Sequence, residues 1–250
     1  MKILPLGVGN AFTEKYFHNN FFIKLQYKNL LLDAGTTLRY SLPHAQLDVQ
    51  KIDYIFITHT HSDHFGGLEE LLLKCHWNFV DGVHTPLRPT LLMHPRQYED
   101  FIMRLTPTVI NDGHTLEHYC EVVLCNDQQQ FLLDGYLMQL IDLTNLHIKG
   151  MVNFGLKLTE QVSGSNVIFS SDVKHLENSG LREAIDANTR AIIQDTSFSP
   201  NGVHATIEEI LGYYPKQCHS LLYATHYDDS ITESDSPIQL LLQGQSLSFK

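Results

Sequence analysis

The segment Thr58-His59-Thr60-His61-Ser62-Asp63-His64-Phe65-Gly66-Gly67 constrains this chain more than any other. It places three imidazoles and one carboxylate within six residues. The β-branched and aromatic run Tyr54-Ile55-Phe56-Ile57 precedes it and reads as a buried strand. Gly66 to Cys75 follows, with Leu68, Leu71 and Leu72 at helical spacing. In extended backbone His59 and His61 project to the same side. A turn at Ser62 then brings Asp63 and His64 back toward the same point. Without a cation these side chains would crowd, and any protonated pair would repel. Neutral imidazole with carboxylate is a ligand set for zinc or a similar divalent ion.

One cluster is not a full two-ion site. The sequence offers further ligands at strand ends, where sites gather on layered folds. His147 follows the expected strand Tyr136 to Leu143. Asp172 follows Asn166 to Ser170. His226 ends Leu221 to Ala224. The chain holds 15 histidines, so many remain outside this set. Most read as loop or capping residues, with His18 and His114 as the exceptions to watch.

The rest of the chain reads as one domain over residues 1–250, with no internal repeat and no Pro/Ser-rich linker. Lys2 to Leu6 is expected as a strand. Phe21 to Tyr27 and Leu30 to Asp33 are expected as a hairpin turning at Lys28-Asn29. Residues 78–120 carry Pro86, Pro89, Pro95 and Pro107, leaving one short helix near Arg96 to Arg104. Phe154 to Leu158 and Ala191 to Gln194 read as strands, and Leu181 to Ala187 and Ala205 to Leu211 as helices. Early hairpins followed by strand–helix alternation suggest an α+β fold of two sheets with helices outside.

Charge excludes several classes. With 17 basic and 28 acidic residues the net charge is −11, so long nucleic acids are repelled and a small anion is the easier substrate. No apolar run is long enough to span a bilayer. The Pro- and Gly-interrupted start does not read as a signal peptide. Cys75, Cys120, Cys125 and Cys218 show no C-x-x-C spacing, and reduced thiols in a cytoplasm are expected.

The His59–His64 block resembles the H-x-H-x-D-H motif of the metallo-β-lactamase superfamily. The ordered series His147, Asp172, His226 is similar to that family's later metal motifs. The resemblance runs from Leu30-Leu31-Leu32-Asp33-Ala34-Gly35 to Ala224-Thr225-His226-Tyr227. It implies a four-layer αβ/βα sandwich with a two-metal site at one edge. The ions would most often be Zn²⁺, with Mn²⁺ as the other candidate. One would be held by His59, His61 and His147, the other by Asp63, His64 and His226, with Asp172 bridging. Asp33 matches the family's early Asp and would orient a ligand histidine.

Local features choose among the superfamily's branches. The segment Leu143-Thr144-Asn145-Leu146-His147 lacks the Pro/Gly-rich form usual in lactonases and thiolester hydrolases. Asp195 and His204, in Ile193-Gln194-Asp195-Thr196-Ser197-Phe198 and His204-Ala205-Thr206, are similar to a paired motif of tRNase Z-like phosphodiesterases. In that pair the acid orients a histidine that protonates the leaving oxygen. The 25 residues from His147 to Asp172 leave no room for a tRNA-gripping arm. Length, the opening Gly7-Val8-Gly9-Asn10-Ala11-Phe12 and the Asn19-Asn20 pair resemble the phage-encoded anti-Pycsar nucleases and their bacterial relatives. This implies a homodimeric phosphodiesterase that cleaves small cyclic nucleotides, such as cyclic CMP and cyclic UMP, through a metal-activated hydroxide, with Asp63, Asp195 and His204 in the catalytic set. If phage-encoded, it would act in the host cytoplasm. An RNA-processing endonuclease and a lactonase or thiolester hydrolase are the alternatives. Phe79, Tyr98 and Phe101 are candidates for stacking on a base.

Overall fold

The structure, a computed structural model, describes residues 1–106, 108–125 and 130–249. In chain order the strands are β1 Lys2–Gly7, β2 Asn20–Lys24, β3 Asn29–Leu32, β4 Tyr54–Phe56, β5 Phe79–Val80, β6 Val83–His84, β7 Thr90–Met93 and β8 Glu121–Leu124. They continue as β9 Phe131–Leu133, β10 Tyr136–Asp142, β11 Phe154–Glu160, β12 Asn166–Phe169, β13 Thr189–Asp195, β14 Leu222–Thr225, β15 Gln239–Leu240 and β16 Leu247–Ser248. The α-helices are α1 Leu38–His44, α2 Ser62–Phe65, α3 Leu68–His76, α4 Pro95–Leu105 and α5 Ile207–Tyr213.

Two seven-stranded sheets result, ordered β16-β1-β2-β3-β4-β7-β8 and β15-β14-β13-β12-β11-β10-β9. In each, one half is antiparallel and the other parallel. Side-chain alternation sorts the first sheet into two faces. Phe21, Ile23, Leu30, Leu32 and Phe56 pack between the sheets, where Phe21 meets Phe169 at 5.4 Å between ring centroids. Phe22, Leu31, Ile55, Leu91 and Met93 pack in a second core with Leu38 and Leu42 of α1, Leu68, Leu71 and Leu72 of α3, and Phe101 of α4. Helices on one side, two sheets, and α5 on the other side give the four-layer α+β sandwich expected from the sequence.

Several local expectations need correction. The first hairpin turns at Leu25–Lys28, where Leu25 N–H donates to the Lys28 carbonyl at 2.9 Å and Asn29 already pairs with Lys24. Asp134, reaching over from the second sheet, accepts from both Tyr27 N–H and Lys28 N–H and pins that register. Leu181 to Ala187 forms turns, not a helix. Asp186 N–H donates to Thr189 Oγ1 at 3.0 Å, which diverts a donor that a helix would aim at the Arg182 carbonyl. The helix expected over Gly66 to Cys75 is α3, while Ser62, expected as a turn, opens the short helix α2, which Gly66-Gly67 part from α3. Region 78–120 contributes strands β5, β6 and β7 as well as α4, and β8 follows it. All four cysteines are free and buried.

Candidate metal centre

The parallel halves of the two sheets aim their carboxyl ends at one edge. Asp33 follows β3, His59 follows β4, Asp172 follows β12, Asp195 ends β13 and His226 follows β14. Such strand ends are the usual ligand site of open parallel sheets. Asp33, Ser171 and His226 sit at φ values of 64°, 52° and 62°, so the backbone turns sharply as it leaves the strands. That conformation is held by contacts. Thr58 N–H donates to Asp33 Oδ1 at 2.7 Å. Asn153 Nδ2 donates to the Asp172 carbonyl at 2.7 Å. Thr225 Oγ1 donates to Asn19 Oδ1 at 2.5 Å. Asn20, the second of the Asn pair, takes the Gly35 N–H at 2.8 Å and donates to the His18 carbonyl at 2.9 Å.

Two groups of donors form there, and Asp172 belongs to both. In the first, His59, His61, His147 and Asp172 offer atoms within 4.8 Å of one another; in the second, Asp63, His64, Asp172 and His226 do the same. His61 Nδ1 lies 3.1 Å from His59 Nε2 and 3.2 Å from His147 Nε2. His226 Nε2 lies 3.0 Å from Asp63 Oδ2, and His64 Nε2 lies 3.3 Å from both Asp63 Oδ2 and Asp172 Oδ1. All seven residues named as ligands from the sequence are therefore brought together.

The outer contacts fix which ring nitrogens face inward. His64 Nδ1 donates to Asp33 Oδ2 at 2.8 Å, leaving a lone pair on Nε2. His147 Nδ1 donates to the Val203 carbonyl at 2.7 Å, with the same result. Thr58 Oγ1 donates to Asp33 Oδ2 at 3.1 Å, so it accepts from His59 Nδ1 at 3.0 Å, and His59 Nε2 also faces in bare. Asp33 thus orients two histidines, one directly and one through Thr58. Converging lone pairs about 3 Å apart are unfavourable unless a cation sits among them. His64 Nε2 and Asp172 Oδ1 are buried and make no hydrogen bond. The donor set fits divalent metal.

Electrostatics agree. Burial holds His59 well below the ordinary histidine range, and neighbouring His64 adds to this, so the imidazole stays neutral. Burial also lowers His61. Burial works against the charged forms of Asp172 and Asp63, but His226, His64 and His59 around Asp172, and His64 and His226 around Asp63, hold both carboxylates ionised. Burial likewise opposes protonation of His64, yet Asp172, Asp63 and Asp33 outweigh it and raise that imidazole. The site calls for positive charge, which protons or a divalent cation would supply.

A third group joins Asp172, Asp195, His204 and His226. His204 Nδ1 lies 2.8 Å from Asp195 Oδ2, and His226 Nδ1 lies 3.3 Å from Asp195 Oδ1. Asp195 also accepts the Val173 N–H at 2.9 Å. One buried carboxylate therefore touches both His204 and His226. Burial works to lower His204, but Asp195 outweighs it and raises the imidazole. Asn201 Oδ1 accepts the N–H groups of Val203 and His204 at 3.0 and 2.9 Å, which positions both the ring and the carbonyl that orients His147.

Sequence reasoning did not name Thr58, Asn153, Asn201 or the Val203 carbonyl. Of the two flagged histidines, His18 is buried beside this site, with Nδ1 3.1 Å from Thr36 Oγ1. His114 is exposed and stacks edge-on against His118 away from the donor groups. Phe101 is 0% exposed in the core and cannot stack on a ligand, and Tyr98 packs against the same core.

A family model described as Anti-Pycsar protein Apyc1 matches residues 1–246. The chain belongs to the Anti-Pycsar Apyc1 family. Among its Apyc1 relatives, one from Saccharibacillus brassicae is 28% identical over 238 residues, 92% of this chain and 91% of the relative. Another from Bacillus phage BSP38 is 26% identical over 255 residues, 98% of this chain and 97% of the relative. Similar solved structures are a diphosphatase of the PhnP family (TM-score 0.76, 16% identity, 99% and 96% covered) and the short form of human tRNase Z (TM-score 0.69, 18% identity, 99% of each chain). They share the metallo-β-lactamase fold with the Apyc1 family chain.

Proposed function

We propose that the chain is a metal-dependent phosphodiesterase that hydrolyses small cyclic nucleotides. The observation that carries this reading is His204 held by Asp195 at the rim of the histidine–carboxylate cluster. A proton donor beside a cation site suits an alkoxide leaving group such as the ribose oxygen of a cyclic phosphodiester, whereas the thiolate of a thiolester leaves without one. Membership of the Anti-Pycsar family supports the substrate class.

His59, His61 and His147 would hold one divalent ion, and Asp63, His64 and His226 another, with Asp172 between them. Zn²⁺ is the proposed metal. Bound there, the pair supplies Lewis acidity that neutralises phosphate oxygens and acidifies water. Asp33, directly on His64 and through Thr58 on His59, orients both rings so that Nε2 faces the cluster. Asp195 fixes His204, and His204 gives its proton to the ribose oxygen as the P–O bond breaks. Water supplies the new oxygen on phosphorus, and a linear nucleoside monophosphate leaves. The −11 net charge disfavours long RNA, while a cyclic phosphodiester carries a single negative charge.

The proposal includes a homodimer. The apolar residues Trp77, Phe79 and Val83, exposed on and beside the β5–β6 hairpin, support an interface. No described helix is long and apolar enough to cross a membrane. A bacterial host's cytoplasm is the proposed place of action, supported by the phage relatives.

The test is a substrate panel on metal-loaded protein, read by mass spectrometry, with Asp63→Ala as control. Cyclic CMP, cyclic UMP, cyclic AMP and cyclic GMP stand beside precursor tRNA and a lactone. Ring opening of at least one cyclic nucleotide, lost in Asp63→Ala, is expected. Cleavage of RNA or lactone alone overturns the reading.

A further inference from the structure

The loop between β1 and β2 presents Phe12 to solvent at 91% exposure. A fully exposed phenyl ring gains nothing from the core, so its position needs another reason. Phe12 lines a cleft of about 330 Å³ together with His204 and His226. That volume falls in the range of small-molecule sites. The other walls mix polar groups, Ser197 and Asn201 among them, with the apolar side chains of Ala11 and Val203.

The loop is tied down rather than loose. Asn10 Nδ2 donates to Asp228 Oδ1 at 2.6 Å, and Phe12 N–H donates back to Asn10 Oδ1 at 3.0 Å. Asp229 accepts the N–H groups of Glu14 and Lys15 at 2.8 and 3.0 Å, and the Thr13 hydroxyl as well. Asp228 and Asp229 stand two and three residues after His226. The aromatic ring and the metal-facing imidazole are therefore mounted on one hydrogen-bonded unit.

We propose that Phe12 is the platform on which the nucleobase of the substrate stacks, an inference that rests on the cyclic-nucleotide reading. With the phosphate at the His204–His226 end of the cleft, the base occupies the Phe12 end. A phenyl face accepts any base, since each has a π-face, so Phe12 sets affinity for nucleotides as a class. Phe12 is a binding residue and takes no part in the proton transfer.

The test compares wild type with Phe12→Ala and Phe12→Trp, using cyclic CMP, cyclic UMP and the corresponding base-free ribose 3′,5′-cyclic phosphate. Phe12→Ala should raise KM for both nucleotides about tenfold, equivalent to ~1.4 kcal/mol of stacking. Its kcat and its turnover of the base-free compound should stay near wild type, and Phe12→Trp should restore KM. Unchanged KM in Phe12→Ala, with wild type active, overturns the platform alone. So does an equal loss on the base-free compound. A lowered sedimentation coefficient accompanying the KM rise assigns Phe12 to a contact between copies and also overturns it. Wild type inactive on every cyclic nucleotide removes the functional reading itself.

Discussion

At the scale of the residue, the geometry separates holding metal from moving a proton. His204 Nδ1 lies 2.8 Å from Asp195 Oδ2 and 4.0 Å from Asp172 Oδ2, outside the two groups proposed to hold metal. Its value in the reaction depends on how basic the departing oxygen is. A ribose alkoxide needs a proton; a p-nitrophenolate hardly does. Replacing His204 by Ala should therefore lower kcat for a cyclic nucleotide by about 10²–10⁴. A p-nitrophenyl phosphodiester should suffer far less, and metal content by elemental analysis should be unchanged. An equal loss on both substrates would show that His204 acts in some other step. The residues facing inward were legible in the sequence because imidazoles and carboxylates cluster in few other circumstances. Their supports were not. Val203 acts through its carbonyl, which every residue carries, and Thr58 and Asn153 look like ordinary strand-flanking polar residues until the fold is known.

At the scale of the element, the site depends on how closely the segment after β3 meets α2. Ala34 N–H donates to the His64 carbonyl and Gly67 N–H to the Ala34 carbonyl, each at 2.7 Å. A Cβ on Gly35 would lie 1.9 Å from the Asp63 carbonyl oxygen, so only glycine fits this approach. Gly35→Ala should therefore displace Asp63 and His64 and cost about 1–3 kcal/mol of stability. Leu158→Ala, in the inter-sheet core on β11, should cost about 2–5 kcal/mol. The informative comparison is metal stoichiometry. Gly35→Ala should lose bound metal while Leu158→Ala, at least as destabilised, retains it; the reverse order would refute the proposed role of this contact. Much of the element pattern was readable, because Leu30-Leu31-Leu32 and Asn166 to Phe169 are apolar enough to be strands and little else. The misreadings fall where side chains compete with backbone. Leu181 to Ala187 has helical composition, but Thr189 Oγ1 takes the Asp186 N–H that would continue the first turn, and the Tyr213 hydroxyl, 32 residues beyond Leu181, fixes the Arg182 N–H. No local window contains that information.

At the scale of the whole molecule, one region carries a charge problem that folding alone leaves open. Asp33, Asp63, Asp172 and Asp195 are all buried at one edge of a protein whose net charge is already −11. These carboxylates and the histidines around them come from α2 and from the ends of β3, β4, β10, β12, β13 and β14, so both sheets end at the same cluster. Metal bound there links the two sheets and stabilises only the folded chain, because the unfolded chain scatters the donors. At a free zinc concentration about a hundred times the dissociation constant, the gain is ~2.7 kcal/mol. For a chain of this length that corresponds to a rise in Tm of about 5–10 °C. The sign of its pH dependence follows from competition for the same lone pairs. His64 and His226 are raised by the surrounding carboxylates, His226 to about 10, so metal must displace protons from them. Proton release on binding means that affinity falls as pH falls, and the zinc-induced rise in Tm should be larger at pH 8 than at pH 6. Differential scanning calorimetry of chelator-treated and zinc-loaded protein at the two pH values checks both statements. A Tm that ignores zinc, or a rise that grows on acidification, would mean that these imidazoles do not share a cation and that the two sheets are joined by packing alone.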